Sequence, residues 1–553
     1  MPSAFSMLRK LLKYKLADNS SEEKQAGCRG DAIRQEDSPL LEKRLDLIRK
    51  RLGESKDIVI REFSSNNNQV KLAILYVDGL VDRRLINDHI IRPIQSDFVV
   101  KNFSHRLAEK NALQLLKKHI TSISEVAEAA NLTQAIRMMF SGDTALLING
   151  EEKILVYSTR AWDRRAVTEP ETEPAVRGSR EGFTETLRTN TALLRRRIRH
   201  ENLRLESMKA GRRTGTDVVL AYINDIVNPL TLEEVRRRIA AIDTDSILES
   251  GYIEEFIEDV PFSIFPQLER TERSDKAAAA VLDGRILIMV DNTPHVLIVP
   301  TSFFQFIQAS EDYYERPYIA VVLRLLRLFV LNIALMLPAV YVAIITFHQE
   351  MLPTSLLLSI AAAREGVPFP AVAEALLMEA IFEVLREAGV RLPKTVGQAV
   401  SIVGGLVIGD ASIRAGLVSP SMVIVVAVTA ISTFALPAFN ASIALRILRF
   451  PLIMLAGMMG LYGVIFGLVI ILIHLAGLQS FGVPYLSPLA HGSVSDMLKT
   501  FARPFWWMTR RRADELGLQN MKRQAGNMGP RKTPFAKREL THDNTEEHDA
   551  GKR

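Results

Sequence analysis

Apolar residues are concentrated towards the C-terminal part of the chain, in stretches that carry no charge. A helix rises 1.5 Å per residue, so about 20 apolar residues cross the hydrocarbon core of a bilayer. Three uncharged runs reach that length: Leu328–His348, Ala415–Leu445 and Phe450–Leu478. Gly397–Ser412 is a weaker candidate because Asp410 interrupts it, and Leu352–Ala363 is short and suits a re-entrant or interfacial piece. The pattern predicts an α-helical multi-pass membrane domain over residues 317–486. The domain would have four to six helices, and the alternative is that one of them is re-entrant.

Basic and aromatic residues at the ends of this region predict its orientation. Arg324 and Arg327 precede the first run, and Trp506 and Trp507 are followed by the basic triplet 510–512. Arginines flank membrane helices on the cytoplasmic side, and tryptophans favour the interface. The first residues lack the apolar core of a signal peptide, so the segment before the membrane domain is expected on the cytoplasmic side. With both ends inside, the number of crossings must be even, so one of the five apparent helices is re-entrant or a sixth is concealed.

Strand-like runs fill two stretches ahead of the membrane domain, and the two stretches resemble each other. The matching strings are Val70–Asp82 with Asp217–Asn228, and Gly142–Ser158 with Asp283–Pro300. The second pair reads as two strands joined at good hairpin turns, Asn149-Gly150 and Asp291-Asn292. Both matches recur at nearly the same offset. We therefore interpret residues 55–165 and 213–316 as two related α/β soluble subdomains.

The remaining segments are polar. Residues 1–54 are expected to form a partly disordered arm with a short charged helix at residues 41–52, and residues 166–212 an Arg/Glu-rich linker. Residues 487–553 are expected to form a basic cytoplasmic tail that is largely disordered. The predicted fold class is an α+β membrane protein: two related α/β soluble subdomains followed by an α-helical multi-pass membrane domain.

Composition excludes several classes of protein. The mean hydropathy of +0.09 is an average over two unlike halves of the chain. Cys28 is the only cysteine, which excludes an internal disulfide scaffold. The formal net charge of +6 lies in separate basic runs without aromatic interleaving or zinc-ligand spacing, so no nucleic-acid partner is expected. The sequence contains no nucleophile elbow, P-loop, dinucleotide-binding glycines or HExxH, so we predict no enzyme, no cofactor and no metal site.

Carboxylates next to the apolar runs are the candidate functional residues. An ionisable group at membrane depth is costly, so it usually lines a cavity or has a partner. A helical projection places Glu379 and Glu383 on one stripe, whereas Glu374 falls among apolar positions. These glutamates could attract cations at a pore, or they could face water on an interfacial helix with Glu383 and Arg386 as a local pair. Asp410, with an arginine four residues on, fits either an ion pair or a transport site.

Five long strings spread along the chain also resemble a known family. They are Glu169–Arg199, Ser263–Asp275, Leu297–Pro317, Arg364–Lys394 and Gly397–Val426. In them the sequence resembles the A subunits of GerA-type spore germinant receptors, and the resemblance covers about residues 55–500. Two departures stand out, since Ser179 occupies a position where the family usually has proline, and Asp410 one where glutamate is more usual.

The resemblance implies a location, partners and an activity. It implies a multi-pass protein of the inner membrane of bacterial endospores that works with a multi-pass B subunit and a lipoprotein C subunit. Small nutrients, amino acids or sugars, would act as the triggers, and cation release would begin germination. The A subunit would oligomerise into a ring that conducts cations. A related A-like protein of the spore dipicolinate-channel operon shares this architecture; the long N-terminus and basic tail favour a receptor subunit.

A mechanism follows as a hypothesis. Ligand sensed by a partner subunit would move the two soluble subdomains, and the linker would transmit the movement to a membrane ring whose pore is lined in part by glutamates. The candidate signal-transmitting residues are Glu169, Glu171, Arg177, Gly178, Arg180 and Glu181. Two alternatives stay open: a secondary transporter of a nutrient or ion, and a non-conducting membrane scaffold for partner subunits.

Overall fold

The computed structural model divides the chain into two compact units. The first unit comprises residues up to 162 together with 199–201, and the second comprises residues 163–198 and 202 onwards. The N-terminal arm before residue 39 and the end of the tail after residue 530 lie outside the residues that the structure describes. The structure describes residues 39–53, 55–64, 71–95, 126–161, 169–170, 172–391, 405, 409–490, 494–526 and 528–530.

The first unit contains a five-stranded antiparallel sheet. Its strands are β1 Ile58–Ser64, β2 Lys71–Val77, β3 Val126–Ala129, β4 Thr144–Ile148 and β5 Ile154–Tyr157. They are ordered β1-β2-β4-β5-β3. Strands β4 and β5 are entirely buried, as their continuous apolar sequence predicts. They form a hairpin at the predicted turn, where Gly150 has φ +87°, a conformation that only glycine adopts without strain.

Short helices pack on this first sheet. They are α1 Leu41–Leu52, α2 Arg83–Ile86, a π-helical turn Asn87–Ile91, α3 Arg92–Gln95 and α4 Leu132–Met139. Helix α1 spans the residues predicted from sequence and buries its apolar stripe, Leu45 and Ile48 included. Its Arg44 is also buried, because the guanidinium donates to the carbonyls of Glu151 and Glu152 at 2.7 and 2.8 Å. This contact fixes the helix to the β4–β5 turn.

The second unit repeats the same sheet topology. Its strands are β6 Leu203–Ala210, β7 Thr216–Ile223, β8 Glu269–Thr271, β9 Ile286–Val290 and β10 Val296–Val299. Their order, β6-β7-β9-β10-β8, is that of the first sheet strand for strand. The strings matched in the sequence fall on β2 and β7, and on the two hairpins β4–β5 and β9–β10. This equivalence is what a duplicated subdomain predicts.

The boundary between linker and second subdomain differs from the prediction. Residues 166–212 were expected to be a linker, but they contain strand β6 and helix α5 Leu187–Arg197. Leu193 and Leu194 of α5 join the same core as Leu203 and Leu205 of β6. The two elements were not predicted because charged residues dominate their sequences. The apolar residues of each element lie on a single face. The other helices of this sheet are α6 Pro229–Ala240, α7 Ser250–Ile257 and α8 Ser274–Leu282.

The tail is also more ordered than its polar composition predicts. Residues 494–526 are described, and they begin with helix α15 Val494–Phe501. Leu516 and Leu518 are buried in the core of the second sheet. A side chain at Gly284 would overlap Leu518, so the tail lies directly on the turn before β9. The expectation of disorder is therefore wrong for this part of the tail, because a few apolar anchors are enough to hold an otherwise charged segment.

The helical region follows the second sheet within the same unit. It consists of α9 Pro317–Phe347, α10 Thr354–Arg364, α11 Ala371–Arg391, α12 Pro420–Phe434, α13 Phe439–Met459 and α14 Leu461–Gly477. Among the described residues, α9 and α13 are long and apolar enough to cross a membrane, while α10, α12 and α14 are shorter apolar helices. A side chain at Gly463 or Gly467 would strike Leu455 or Leu452, so these glycines bring α14 close to α13.

Helix boundaries in this region do not follow the uncharged runs. The predicted span 415–445 contains α12 and the start of α13, separated by a break that includes Pro437. The predicted span 450–478 is divided at Gly460, which has φ +62° and lies against His348. Charged residues were taken as span ends, yet Arg446 and Arg449 lie inside α13. Most of the weak candidate 397–412 lies outside the described residues.

Candidate functional site

A buried ion pair joins two of the apolar helices. Glu379 of α11 and Arg449 of α13 are each only 3% exposed, and their carboxylate oxygen and guanidinium nitrogen are 2.6 Å apart. Arg449 also donates through Nε to the carbonyl of Ala334 in α9 at 2.9 Å. The guanidinium thus ties three helices together. A charge at this depth is tolerated because it has an opposite charge and a backbone acceptor.

A second pair lies one helical turn further along α11. Glu383 forms an ion pair and hydrogen bond with Arg446 of α13. The alternative pairing of Glu383 with Arg386 is therefore not what the structure has. Arg386 instead donates to Thr433 at 3.0 Å, and its guanidinium carbon lies 4.9 Å from the centre of the Phe434 ring. Two carboxylates of one helix thus face two arginines of another.

The other two candidate carboxylates have different surroundings. Glu374 is completely buried and accepts hydrogen bonds from the backbone N–H and the hydroxyl of Ser419, both at 2.5 Å. Arg364 lies 3.6 Å from its second oxygen. Asp410 is 54% exposed and pairs with Arg414 at 2.8 Å, one turn along the same helix. The structure thus brings Glu379 and Glu383 together with arginines and leaves Asp410 in a local surface pair.

Several polar atoms of this cluster remain unsatisfied. Within the described part of the chain, buried atoms without a hydrogen-bond partner occur on Glu374, Glu379, Arg386, Arg446 and Arg449. An unpaired polar atom buried among apolar side chains costs roughly 1–3 kcal/mol. Native proteins carry few of them, and each is normally satisfied by water or an ion. Water or ions would therefore be stabilised in this interior.

The arginine partners were not identified from sequence, although a signal existed. Arg446 and Arg449 supply two of the four charges between residues 397 and 478. Arg446 and Arg449 are three positions apart, and Glu379 and Glu383 are four positions apart. On a helix, residues at either spacing lie on the same face. Two complementary charge pairs on separate apolar helices are a pattern that predicts interhelical ion pairs.

A second polar centre lies where the first apolar helix begins. Asp312 is completely buried, and it accepts hydrogen bonds from Arg324 at 3.0 Å and Arg327 at 2.8 Å. Arg324, itself 3% exposed, also donates to the backbone carbonyls of Lys499 and Thr500 in the tail. The two arginines that predicted the orientation of α9 therefore hold the soluble subdomain and the tail to its first turns. Asp312 itself was not identified from sequence.

The linker is attached to the second sheet by a neighbouring set of contacts. Arg273 pairs with Asp275 at 2.7 Å and donates to the linker carbonyls of Glu173 and Ser179, both at 3.1 Å. The hydroxyl of Tyr314 donates to Asp275 at 2.6 Å. Tyr314 follows Asp312 by two residues, so this network connects the linker to the start of α9.

The charges of this network are held in their ionised forms. Burial would raise the pKa of Asp275, but Arg273 and Tyr314 hold it below its ordinary value. Burial would likewise raise the pKa of Glu173, and Lys276 holds it lower. The pKa of Lys276 is raised despite its burial, because two carboxylates lie 2.8 Å from its Nζ. Burial, followed by the bond to Asp275, raises the pKa of Tyr314.

The predicted signal-transmitting residues have unequal surroundings. Glu181 pairs with both Arg196 and Arg197 of α5, and Arg177 lies 3.7 Å from Glu315. Glu169 and Arg180 are exposed, and Glu171 lies outside the described residues. Gly178 packs against the ring of Tyr314, where an added Cβ would lie 2.8 Å from a ring carbon. Part of the predicted set therefore contacts the network that leads to α9.

Replacing Gly178 by alanine should loosen the linker. Its φ of +143° disfavours any side chain, and the new methyl group would displace Tyr314. We expect a loss of about 1–3 kcal/mol and faster proteolysis between residues 172 and 181 in the full-length chain. Gly215→Ala is the control, since Gly215 also has a positive φ, +54°, but its Cβ would meet nothing within 4 Å. Equal cleavage rates in the two variants would show that the Tyr314 contact does not hold the linker.

Comparison with known proteins places this architecture in a family. Residues 46–515 match the model described as Bacillus/Clostridium GerA spore germination protein, which confirms the resemblance. The chain is 45% identical over 513 residues to spore germination protein KA of Bacillus subtilis (strain 168), covering 93% of each chain. It is 47% identical over 475 residues to the uncharacterized membrane protein YfkQ of the same organism, covering 86% of this chain and 91% of that one.

A solved structure is also similar to part of the chain. The crystal structure of the N-terminal domain of the A subunit of the Bacillus megaterium spore germinant receptor GerK3 is 39% identical, with a TM-score of 0.39. The match covers 48% of this chain and 96% of that chain. The family match over residues 46–515 and the high identity along nearly the whole length of the curated relatives lead to one conclusion. The chain belongs to the GerA family of spore germination proteins.

Proposed function

We propose that this chain is the A subunit of a nutrient germinant receptor and that its copies assemble into a nutrient-gated cation-release channel. It would be a multi-pass protein of the spore inner membrane, with its soluble subdomains on the cytoplasmic side. A multi-pass B subunit and a lipoprotein C subunit would be its partners, and amino acids or sugars would act through them. Membership of the GerA family supports the role in spore germination.

The surface of the helical region supports a membrane location. Large apolar side chains are exposed along α9, α12, α13 and α14, among them Phe329, Ile431, Met458 and Ile473, each more than 60% exposed. Soluble monomers rarely expose contiguous apolar patches larger than a few hundred Å². Lipid, or other copies of the chain, would cover this surface.

The two ion pairs between α11 and α13 carry the proposal of a cation path: Glu379–Arg449 is buried, and Glu383 of the second pair is 41% exposed. The Glu379–Arg449 pair is buried between helices α11 and α13, and polar atoms on both partners lack a hydrogen-bond partner within the described part of the chain. Intramembrane ionisable residues commonly mark ion pathways. In the closed protein the arginines neutralise the carboxylates. A movement of α11 relative to α13 would free Glu379 and Glu383 to attract cations, as rings of carboxylates do in cation channels.

The junction at α9 offers a route for gating. The linker contacts Arg273, Asp275 binds Tyr314, and Asp312 binds the two arginines of the first turns of α9. Helix α9 in turn accepts a hydrogen bond from Arg449 through Ala334. A change in the linker would reach the buried pairs through this continuous set of contacts.

Glu383→Gln tests the proposed path, with Glu387→Gln as its control. Both glutamates lie on α11, but Glu387 is exposed and pairs with the exposed Arg391 one turn away on the same helix. We expect potassium release from spores after nutrient addition to slow roughly tenfold in Glu383→Gln, the effect of about 1.4 kcal/mol on a barrier. The control should behave as the unsubstituted protein. Normal release in both variants, at equal protein levels, would remove Glu383 from the path.

Recordings on the reconstituted chain separate the proposal from its alternatives. Single-channel currents that depend on Glu383 would support conduction by this subunit. Flux that saturates with a nutrient, in the chain alone, would instead indicate a secondary transporter. Partner binding without any current would indicate a non-conducting scaffold.

A further inference from the structure

A cavity of about 330 Å³ lies in the second unit, apart from the ion pairs of the helical region. Its walls come from helix α8, from the segment Phe304–Tyr314 and from the tail between Asp496 and Arg523. A volume of this size is at the lower end of small-molecule sites in proteins. The tail was expected to be disordered, so no cavity was predicted here.

Three arginines lining the cavity have only neutral partners within the described part of the chain. Arg503 is 7% exposed and donates to the backbone carbonyls of Tyr313 and Glu315. Arg512 is 9% exposed and donates only to backbone carbonyls, among them that of Leu282 at 2.9 Å. Arg285 donates to the Pro300 carbonyl and to the side chain of Gln305. Buried guanidinium groups normally have a carboxylate partner.

The carboxylates that line the same cavity do not balance these charges. Each already has a cation or a hydroxyl as its partner: Glu269 with Lys276, Asp275 with Arg273, Asp283 with Arg523, Asp496 with Lys499, and Glu515 with Ser487. The walls therefore retain an excess of positive charge. Burial, followed by repulsion from Arg324, lowers the pKa of Arg503, although the nearby Asp312 acts in the opposite direction.

An aromatic ring lies beside the unpaired charges. The guanidinium carbons of Arg503 and Arg523 lie 5.8 and 5.3 Å from the centre of the Trp506 ring. Tyr313 packs against the same ring, with 6.0 Å between the ring centres. Arginine forks and an adjacent aromatic face together suit an oxyanion attached to an apolar or planar body.

We propose that this cavity binds a small organic oxyanion, whose phosphate or carboxylate is held by Arg503 and Arg512 and whose body packs on Trp506. Two sources share that chemistry: a free cytoplasmic metabolite, and the headgroup of an anionic phospholipid. The occupant would connect the tail to the second sheet and to the segment that leads into α9. This inference does not depend on channel activity.

Fluorescence of Trp506 tests the site in the full-length chain in neutral detergent. The chain has three tryptophans, so Trp162→Phe and Trp507→Phe leave Trp506 as the only one. The probes are phenyl phosphate, its neutral counterpart benzyl alcohol, and micelles doped with phosphatidylglycerol or with phosphatidylcholine. We expect a saturable change with phenyl phosphate at concentrations at least tenfold below those needed for benzyl alcohol. A response to phosphatidylglycerol but not to phenyl phosphate would assign the site to a lipid headgroup.

Substitutions then assign the effect to the arginines. Arg503→Gln and Arg512→Gln should each weaken binding about tenfold, the loss expected for one charge-assisted hydrogen bond. Arg213→Gln is the control, because Arg213 is highly exposed and is not among the residues that line the cavity. Arg503→Lys keeps a charge and should retain part of the affinity if the tail stays folded. Equal responses to phenyl phosphate and benzyl alcohol in the unsubstituted protein would overturn the proposal, as would unchanged affinity in both glutamine variants.

Discussion

Arg449→Met should lower the free energy of unfolding of the helical region by about 3–5 kcal/mol, the cost of leaving one partner of a buried ion pair without the other. Methionine replaces the stem of the arginine, so little packing volume is lost. What remains is the Glu379 carboxylate, 3% exposed and without its cation. The carbonyl of Ala334 in α9 also loses a side-chain donor. Three helices are therefore affected by one substitution.

Unfolding of the purified chain in mixed detergent micelles, titrated with dodecyl sulfate, measures this loss. Arg391→Met is the matched control, because Arg391 pairs with Glu387 on the same helix as Glu379 but both side chains are exposed. Such surface pairs contribute about 0.3–0.5 kcal/mol. A loss of similar size in the two variants would mean that the Glu379–Arg449 pair is not desolvated.

The double variant Glu379→Gln/Arg449→Met tests whether the stability lost in Arg449→Met comes from breaking the ion pair. Replacing both charges removes the uncompensated carboxylate, and buried ion pairs replaced as a unit often cost little stability. We therefore expect the double variant to recover most of the stability lost in Arg449→Met. Because the two residues are in direct contact, their effects should be strongly non-additive. Additive losses would place the cost elsewhere than in the pair.

The sheets show what could be predicted from local sequence. Buried strands such as β4 and β9 are continuous apolar runs next to strong turns, and both were predicted in place. Strand β6 was assigned to a linker because Arg204, Glu206 and Lys209 dominate it. The buried Leu203 and Leu205 alternate with those charges, which is the two-residue period of a half-buried strand. The order of the strands was not predictable, since pairing over long sequence separations is set by tertiary packing.

The helical region shows why charge alone misplaces the ends of apolar helices. Arg446 and Arg449 were treated as the ends of spans, whereas they occupy the middle of α13. They can lie there because Glu383 and Glu379 of another helix compensate them. The signal for these partners is not local to the carboxylates, since it lies in the matching spacing of two arginines some 60–70 residues later. The candidate glutamates were therefore found from sequence, but their partners and their burial were not.

Asp312→Asn should disconnect the first apolar helix from both the soluble subdomain and the tail. Asp312 is completely buried and is the shared acceptor of Arg324 and Arg327. Asparagine keeps the shape but removes the charge, so the buried Arg324 and the partly buried Arg327 then lack their carboxylate. We expect a loss of about 3–5 kcal/mol, as for other broken buried pairs.

Proteolysis of the tail provides a second, independent measurement for Asp312→Asn. Arg324 also donates to the carbonyls of Lys499 and Thr500, so an Arg324 displaced by the loss of Asp312 would release α15. Limited proteolysis should then cleave the tail between residues 494 and 512 faster than in the unsubstituted chain. Asp245→Asn is the control, since Asp245 pairs with Arg213 at 3.4 Å on the exposed surface. If the tail stays protected in Asp312→Asn while stability falls, Arg324 holds the tail independently of Asp312, and the junction consists of two separable contacts. If neither changes, the buried carboxylate does not connect α9 to the subdomain, and the gating route through Tyr314 and Asp312 must be abandoned.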